Sequence, residues 1–192
     1  PQECINPIAV LPNGVDLEQF QAQGANKAEK TLVFSGKMSY HANVTAALHL
    51  VEEIMPHVWA TDPAVQVQLV GKDPPARLRA LATPTGSTPI GAVMITGAVP
   101  KMGPYLSQAT IAVAPVLYGA GIQNKVLEAM ACSTPVVASP QASSGLGAQP
   151  ERDLLVAHNA PAFATAILRL LQNPAQRMQM GRAGRIYVEQ AH

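Results

Sequence analysis

Between Tyr118 and Ser139 the chain reads YGAGIQNKVLEAMACSTPVVAS, which gathers glycines, an amide, a lysine and a glutamate ahead of an apolar run. On a helix that turns by about 100° per residue, Gly121, Asn124, Lys125 and Glu128 fall within one narrow arc, and Ile122, Val126, Leu127 and Met130 cover the rest. Such a face has a definite chemistry. The free N–H groups and positive dipole of a helix N-terminus attract phosphate, and a lysine adds a point charge. A glutamate one or two turns further on can accept hydrogen bonds from both hydroxyls of a ribose diol. The same spacing also describes a plain solvated helix face. Two features favour the ligand: the glycine-rich entry carries no charged filler, and the following AMACSTPVVAS buries the helix against whatever lies beneath it.

Such a helix needs a sheet to hold its N-terminus. Short apolar strand candidates run along the chain at Ile8–Gly14, Thr31–Gly36, Val65–Gly71, Val93–Gly97, Thr110–Pro115, Thr134–Ser139 and Asp153–Ala157. Helical patterns lie between them at Asn43–Thr61, Pro75–Ala82, Pro100–Gln108, Gly121–Ala131, Pro161–Gln172 and Pro174–Gln190. Continuous rather than alternating apolar strands, separated by helices, predict a parallel sheet covered on both faces. The fold class is therefore an α/β, Rossmann-like, doubly wound domain, whose ligands bind outside the carboxyl ends of the strands. The strands indeed end in turn residues: Ser35-Gly36-Lys37, Thr96 to Pro100, and Pro115 to Lys125. No repeats occur, and Thr83–Ala92 is the one loose connection.

Composition narrows the partners. A chain of 192 residues, 48% hydrophobic and 13% charged, can bury a sizeable core in one domain. A net charge of +1, without a basic run, argues against a nucleic-acid surface. Cys4 and Cys132 lie far apart and read as reduced thiols of a cytosolic protein. No apolar run approaches the roughly 18 residues of a spanning helix. The five histidines lack metal-ligand spacing, so neither a metal nor another cofactor is expected. His41, just before Asn43 as a helix cap, could reach a ligand phosphate or lie on the surface. Ser143, Ser144 and Gly145 read as a loop. The chain opens at Pro1 without a methionine, which suggests a piece excised from something longer.

The stretch NKVLEAMACSTPVVAS resembles the donor-binding signature of group 1 glycosyltransferases of GT-B architecture. Other segments resemble that family in the same order: VLPNGVD, VFSGKM, VQLVGKDP, VMITGAVPKMGPYLSQATIAVAP and the tail LLQNPAQRMQMGRAGRIYVEQ. Within it, GIQNKVLEAMA and PVVASPQA look most like sugar transferases associated with exosortase and exopolysaccharide clusters. The resemblance implies the C-terminal half of a retaining enzyme that binds a nucleoside-diphosphate sugar without a metal. Residues 1–16 would be the crossover from an N-terminal acceptor domain, and residues 17–192 the donor domain. It also implies a cytoplasmic protein, with room for peripheral association of the full-length chain with the inner face of a membrane.

Carried over by residue, the resemblance makes Glu128 the ribose-binding glutamate. It brings Lys125, Asn124 and the amides of Gly121, Ile122 and Gln123 to the diphosphate, with Lys125 and Glu128 as the catalytic pair. Gly36 and Lys37 would face the phosphates from the opposite strand, and Gly97 to Val99 would line the base pocket. The chain departs from the family twice. Ala120 stands where the Glu-x7-Glu motif has its first glutamate, and Pro115 to Asn124 holds no charged residue where the exosortase-associated branch often carries arginines. Three rival readings stay open at this level. GAGIQN falls one glycine short of a dinucleotide-binding turn and lacks an acid near Ser139. A GT-B sugar-nucleotide epimerase or a non-catalytic sugar-nucleotide-binding module would share the fold.

Overall fold

The computed structural model describes residues 13–22, 28–83, 91–119 and 122–192. Six strands form one parallel sheet: β1 (Thr31–Ser35), β2 (Gln66–Val70), β3 (Val93–Ile95), β4 (Ile111–Ala114), β5 (Val136–Ala138) and β6 (Leu155–Val156). The spatial order is β3-β2-β1-β4-β5-β6. Chain order therefore reverses between β1 and β4, and there the connections leave the sheet in opposite directions and open a crevice. Every residue of β1, β4 and β5 is buried. Both faces of these strands are covered, which explains sequence that is apolar throughout instead of alternating.

The helices are α1 (His41–Leu48), α2 (Met55–Trp59), α3 (Ala76–Arg79), α4 (Gly103–Gln108), α5 (Asn124–Ala131), α6 (Pro140–Ser143), α7 (Ala160–Gln172) and α8 (Pro174–Ala191). A π-helical stretch, His49–Ile54, joins α1 to α2, so the helix predicted over Asn43–Thr61 is one run from His41 to Trp59 with a widened middle. Pro56 accounts for the widening. It has no N–H to donate, and its ring would press on the carbonyl one regular turn back, at Glu52. Caps match the sequence at Ser139, Asn159 and Asn173, whose side chains accept from Ala142 N, Ala162 N and Gln176 N.

Three expectations change, and a fourth lies mostly outside the described residues. Tyr40, not Asn43, precedes the first helical residue, because the Asn43 side chain is used inside the molecule. The helix predicted from Gly121 begins at Asn124, so Ile122 and Gln123 lie in coil, and Gly121 and Ala120 fall outside the described residues. Ser143 closes the short helix α6 rather than lying in a loop, since Ser139 caps that turn and Pro140 starts it. Of the strand expected at Ile8–Gly14, only Asn13 and Gly14 are described, and both are coil.

The segment after Asn13 runs against the far end of the chain. Val15 N donates to the His192 carbonyl at 3.3 Å, and Arg185 Nη1 donates to the carbonyls of Phe20 at 2.8 Å and Ala131 at 2.6 Å. These bonds hold Gln19 and Phe20 beside the carboxyl edge of the sheet. Cys132 is buried, with its Sγ 3.8 Å from the Gly103 carbonyl, and Cys4 is not among the described residues. No helix among the described residues is long and apolar enough to cross a membrane.

Candidate functional site

Two glycines shape the crevice. Gly36 follows β1 with φ 149° and Gly71 follows β2 with φ 152°, both in a region that side chains disfavour. The turns lie on one another: Gly36 N donates to the Val70 carbonyl at 3.0 Å, and Met38 N donates to the Lys72 carbonyl at 2.9 Å. A Cβ on Gly71 would strike the Gly36 carbonyl oxygen. One on Gly36 would sit 2.8 Å from Asn43 Nδ2 and 3.4 Å from Lys125 Cε. Glycine is required at both places for the turns to approach.

The turns border a cleft of about 360 Å³, walled by Gln19, Phe20, Gly36, Lys37, Gly71, Lys72, Ala98, Val99, Met102 and Glu128. The walls follow from the topology, since the turns after β1, β2 and β3 and the helix after β4 all end at this edge. Two lysines, one glutamate and the Gln19 amide stand among glycines and apolar side chains. That is the composition of a site for an anionic ligand that also carries a hydroxyl-bearing and an apolar part.

Lys125 stands behind this wall on the first turn of α5. Its Nζ donates to Asn43 Oδ1 and to Gln123 Oε1, each at 3.0 Å, and lies 5.7 Å from the centre of the Phe34 ring. Burial holds the Lys125 ammonium below its ordinary pKa, against a smaller upward pull from Glu128. Burial likewise pushes the Glu128 carboxyl up, against a smaller downward pull from Lys125. Each charge is thus short of solvent and incompletely offset by the other, so each gains more from a ligand than an exposed charge would.

The expected site residues separate into three groups. Gly36, Lys37, Val99 and Glu128 share the cleft, and Lys125 touches its glycine turn from behind. Gly97, Ile122, Gln123 and Asn124 are not among the described walls. Gln123 instead accepts from Lys125, and Asn124 Oδ1 accepts from Asn13 Nδ2 at 2.9 Å. Gly121 lies outside the described residues. His41 is engaged elsewhere: its Nδ1 is 3.1 Å from the Tyr118 hydroxyl, which also lies 3.0 Å from Thr45 Oγ1, and the two rings stack.

The residues that sequence reasoning missed are Gln19, Phe20, Gly71, Lys72 and Met102 in the wall, and Asn43 behind it. Gly71 and Lys72 stood in plain view at the end of the third apolar run, in the same glycine-lysine order as Gly36-Lys37. Phe20 carried no signal, because it reaches the cleft through the Arg185 bond from the far end of the chain. Among the described residues no three His, Cys, Asp or Glu side chains come together as a metal set.

Comparison with known proteins adds context to this geometry. The family model described as "Glycosyl transferases group 1" matches residues 29–173. Among solved structures, a TarM variant of S. aureus in complex with Fondaparinux, alpha-GlcNAc-glycerol and UDP gives a TM-score of 0.78 at 19% identity, over 100% of this chain and 38% of that one. HepE of Anabaena in complex with UDP-glucose gives 0.75 at 13% identity, over 93% of this chain and 52% of that one. Sucrose-phosphate synthase of Thermosynechococcus elongatus gives 0.72 at 26% identity, over 94% and 47%. The chain therefore spans 38% to 52% of the lengths of these three structures. A search of curated protein sequences finds no match.

Proposed function

Given that the chain belongs to the group 1 glycosyl transferases, we propose that it forms the donor-binding half of a retaining glycosyltransferase, taking a nucleoside-diphosphate sugar in the cleft beside β1 and β4. The observation that carries this reading is the meeting of Glu128, Lys37 and Lys72 with two glycine turns at the point where strand order reverses. Glu128 accepts from the ribose diol. Lys37 and Lys125 take the diphosphate, approached by the backbone at Gly36. The base lies against Ala98, Val99 and Met102. UDP or UDP-glucose is present in two of the similar structures, and the same chemistry suits this cleft.

In transfer, charge builds on the departing diphosphate, and the undersolvated Lys125, with the exposed Lys37 beside it, stabilises that charge more than the neutral part of the donor. The acceptor, an N-terminal acceptor domain, a role in exopolysaccharide synthesis and a cytoplasmic setting against a membrane all belong to this proposal. The resemblance of GIQNKVLEAMA and PVVASPQA to exosortase-associated transferases supports them.

Calorimetric titration of the chain with UDP, GDP and ADP and their sugars tests the reading. One of these should bind, and Glu128→Ala should weaken it by about 1.5–3 kcal/mol, the range for hydrogen bonds to a charged group. The 2′-deoxy form should lose less in the variant than in the parent. Equal losses in both proteins would return Glu128 to a solvated helix face, and no binding by any of the three would end the reading.

A further inference from the structure

We propose that Asn43 is a positioning residue that sets the Lys125 ammonium for a diphosphate; this rests on the donor-site reading above. Asn43 is only 6% exposed, although it lies in the first turn of α1 where a polar side chain would ordinarily face water. Its Nδ2 donates to the Lys37 carbonyl at 2.9 Å, and its Oδ1 accepts from Lys125 Nζ at 3.0 Å. A carbonyl can only accept and an ammonium can only donate, so these partners allow a single orientation of the amide. One side chain thus ties the turn after β1 to the helix after β4, across the reversal in strand order.

Charge explains the choice of residue. Among the described residues the hydrogen-bond acceptors of the Lys125 ammonium, Asn43 Oδ1 and Gln123 Oε1, are both neutral amides. They fix the direction of the ammonium without cancelling its charge, and they occupy two of its three protons. A carboxylate at position 43 would hold Lys125 equally well but would neutralise it and lose the donor to Lys37. The missing side chain of Gly36 belongs to the same device, since a Cβ there would meet the Asn43 amide at 2.8 Å.

The test uses inorganic pyrophosphate, the portion common to every nucleoside diphosphate, titrated at matched ionic strength into the 192-residue chain. Parent, Asn43→Ala, Lys125→Ala and the double variant complete a cycle. Each single change should weaken binding roughly three- to tenfold, and the double should bind within about twofold of Lys125→Ala, because Asn43 acts through that ammonium. Losses that multiply in the double variant would overturn the proposal and make Asn43 a general structural residue. Unaltered binding by Asn43→Ala beside weakened binding by Lys125→Ala would overturn this proposal alone. No pyrophosphate binding by the parent, or full binding by Lys125→Ala, would overturn the phosphate role of Lys125 and this proposal with it. Asn43→Asp, of the same size, should lose at least as much affinity as Asn43→Ala, and parental affinity in it would count against the proposal. If Asn43→Ala fails to fold, Asn43→Asp in the parent and Lys125→Ala backgrounds completes the cycle.

Discussion

Glu128 occupies a place where burial makes ionisation costly, and stability should therefore depend on pH. Its carboxyl titrates above the ordinary range in the folded chain because burial outweighs the pull of Lys125. A raised folded pKa means that the stabilisation is complete below the pKa of the unfolded carboxyl and is lost as pH rises through the folded value. Glu128→Gln cannot titrate, so it should melt higher than the parent at about pH 7 and match it near about pH 3.5, where both side chains are neutral. Thermal melts over that interval check the sign, and an offset independent of pH would refute it. Glu128 and Lys125 were legible in the sequence because they share one helix face. Asn43 was visible only as a candidate cap, since its two partners are the Lys37 carbonyl and a lysine 82 positions away.

The turns after β1 and β2 act as one unit, as their glycines meet backbone to backbone. Gly71→Ala adds a Cβ against the Gly36 carbonyl at a φ of 152°, which an alanine seldom adopts. Strain of this kind costs on the order of 1–3 kcal/mol. The variant should lose about that much stability in denaturant melts, and nucleotide affinity should fall with it, because the shift moves Gly36 and Lys37. Parental stability together with parental affinity would show that the turns tolerate separation. The predicted elements were accurate where a long helix is opened by an Asn-cap and a proline, as in α7 and α8. They were least accurate at α6 and at the start of α5, where a capping serine and a short coil decide the boundary within a few residues.

The molecule closes through Arg185. Its guanidinium, from the last helix, ties the carbonyls of Phe20 and Ala131 and pairs with Glu189 at 2.6 Å, with 22% of the side chain exposed. Arg185→Ala leaves two carbonyls without their donor and should destabilise the chain by about 1–3 kcal/mol. It should also weaken nucleotide binding, because Phe20 forms part of the cleft wall. Wild-type affinity at reduced stability would separate the N-terminal segment from the site.

The sequence by itself determined the fold class and the polar face of α5. Strands buried on both faces must be apolar throughout, and a helix presenting one face must repeat its polar residues at helical spacing; both constraints are local and written in composition and period. Tertiary structure alone decided which residues meet at the cleft. Lys72 and Phe20 reach it, and Asn43 meets Lys125 behind its wall, because the strands lie in the order β3-β2-β1-β4-β5-β6 and because Val15 and Phe20 are bonded to the last helix and its end. Contacts between segments so far apart leave no periodic mark, since any residue of suitable size and polarity would satisfy the local rules at those positions.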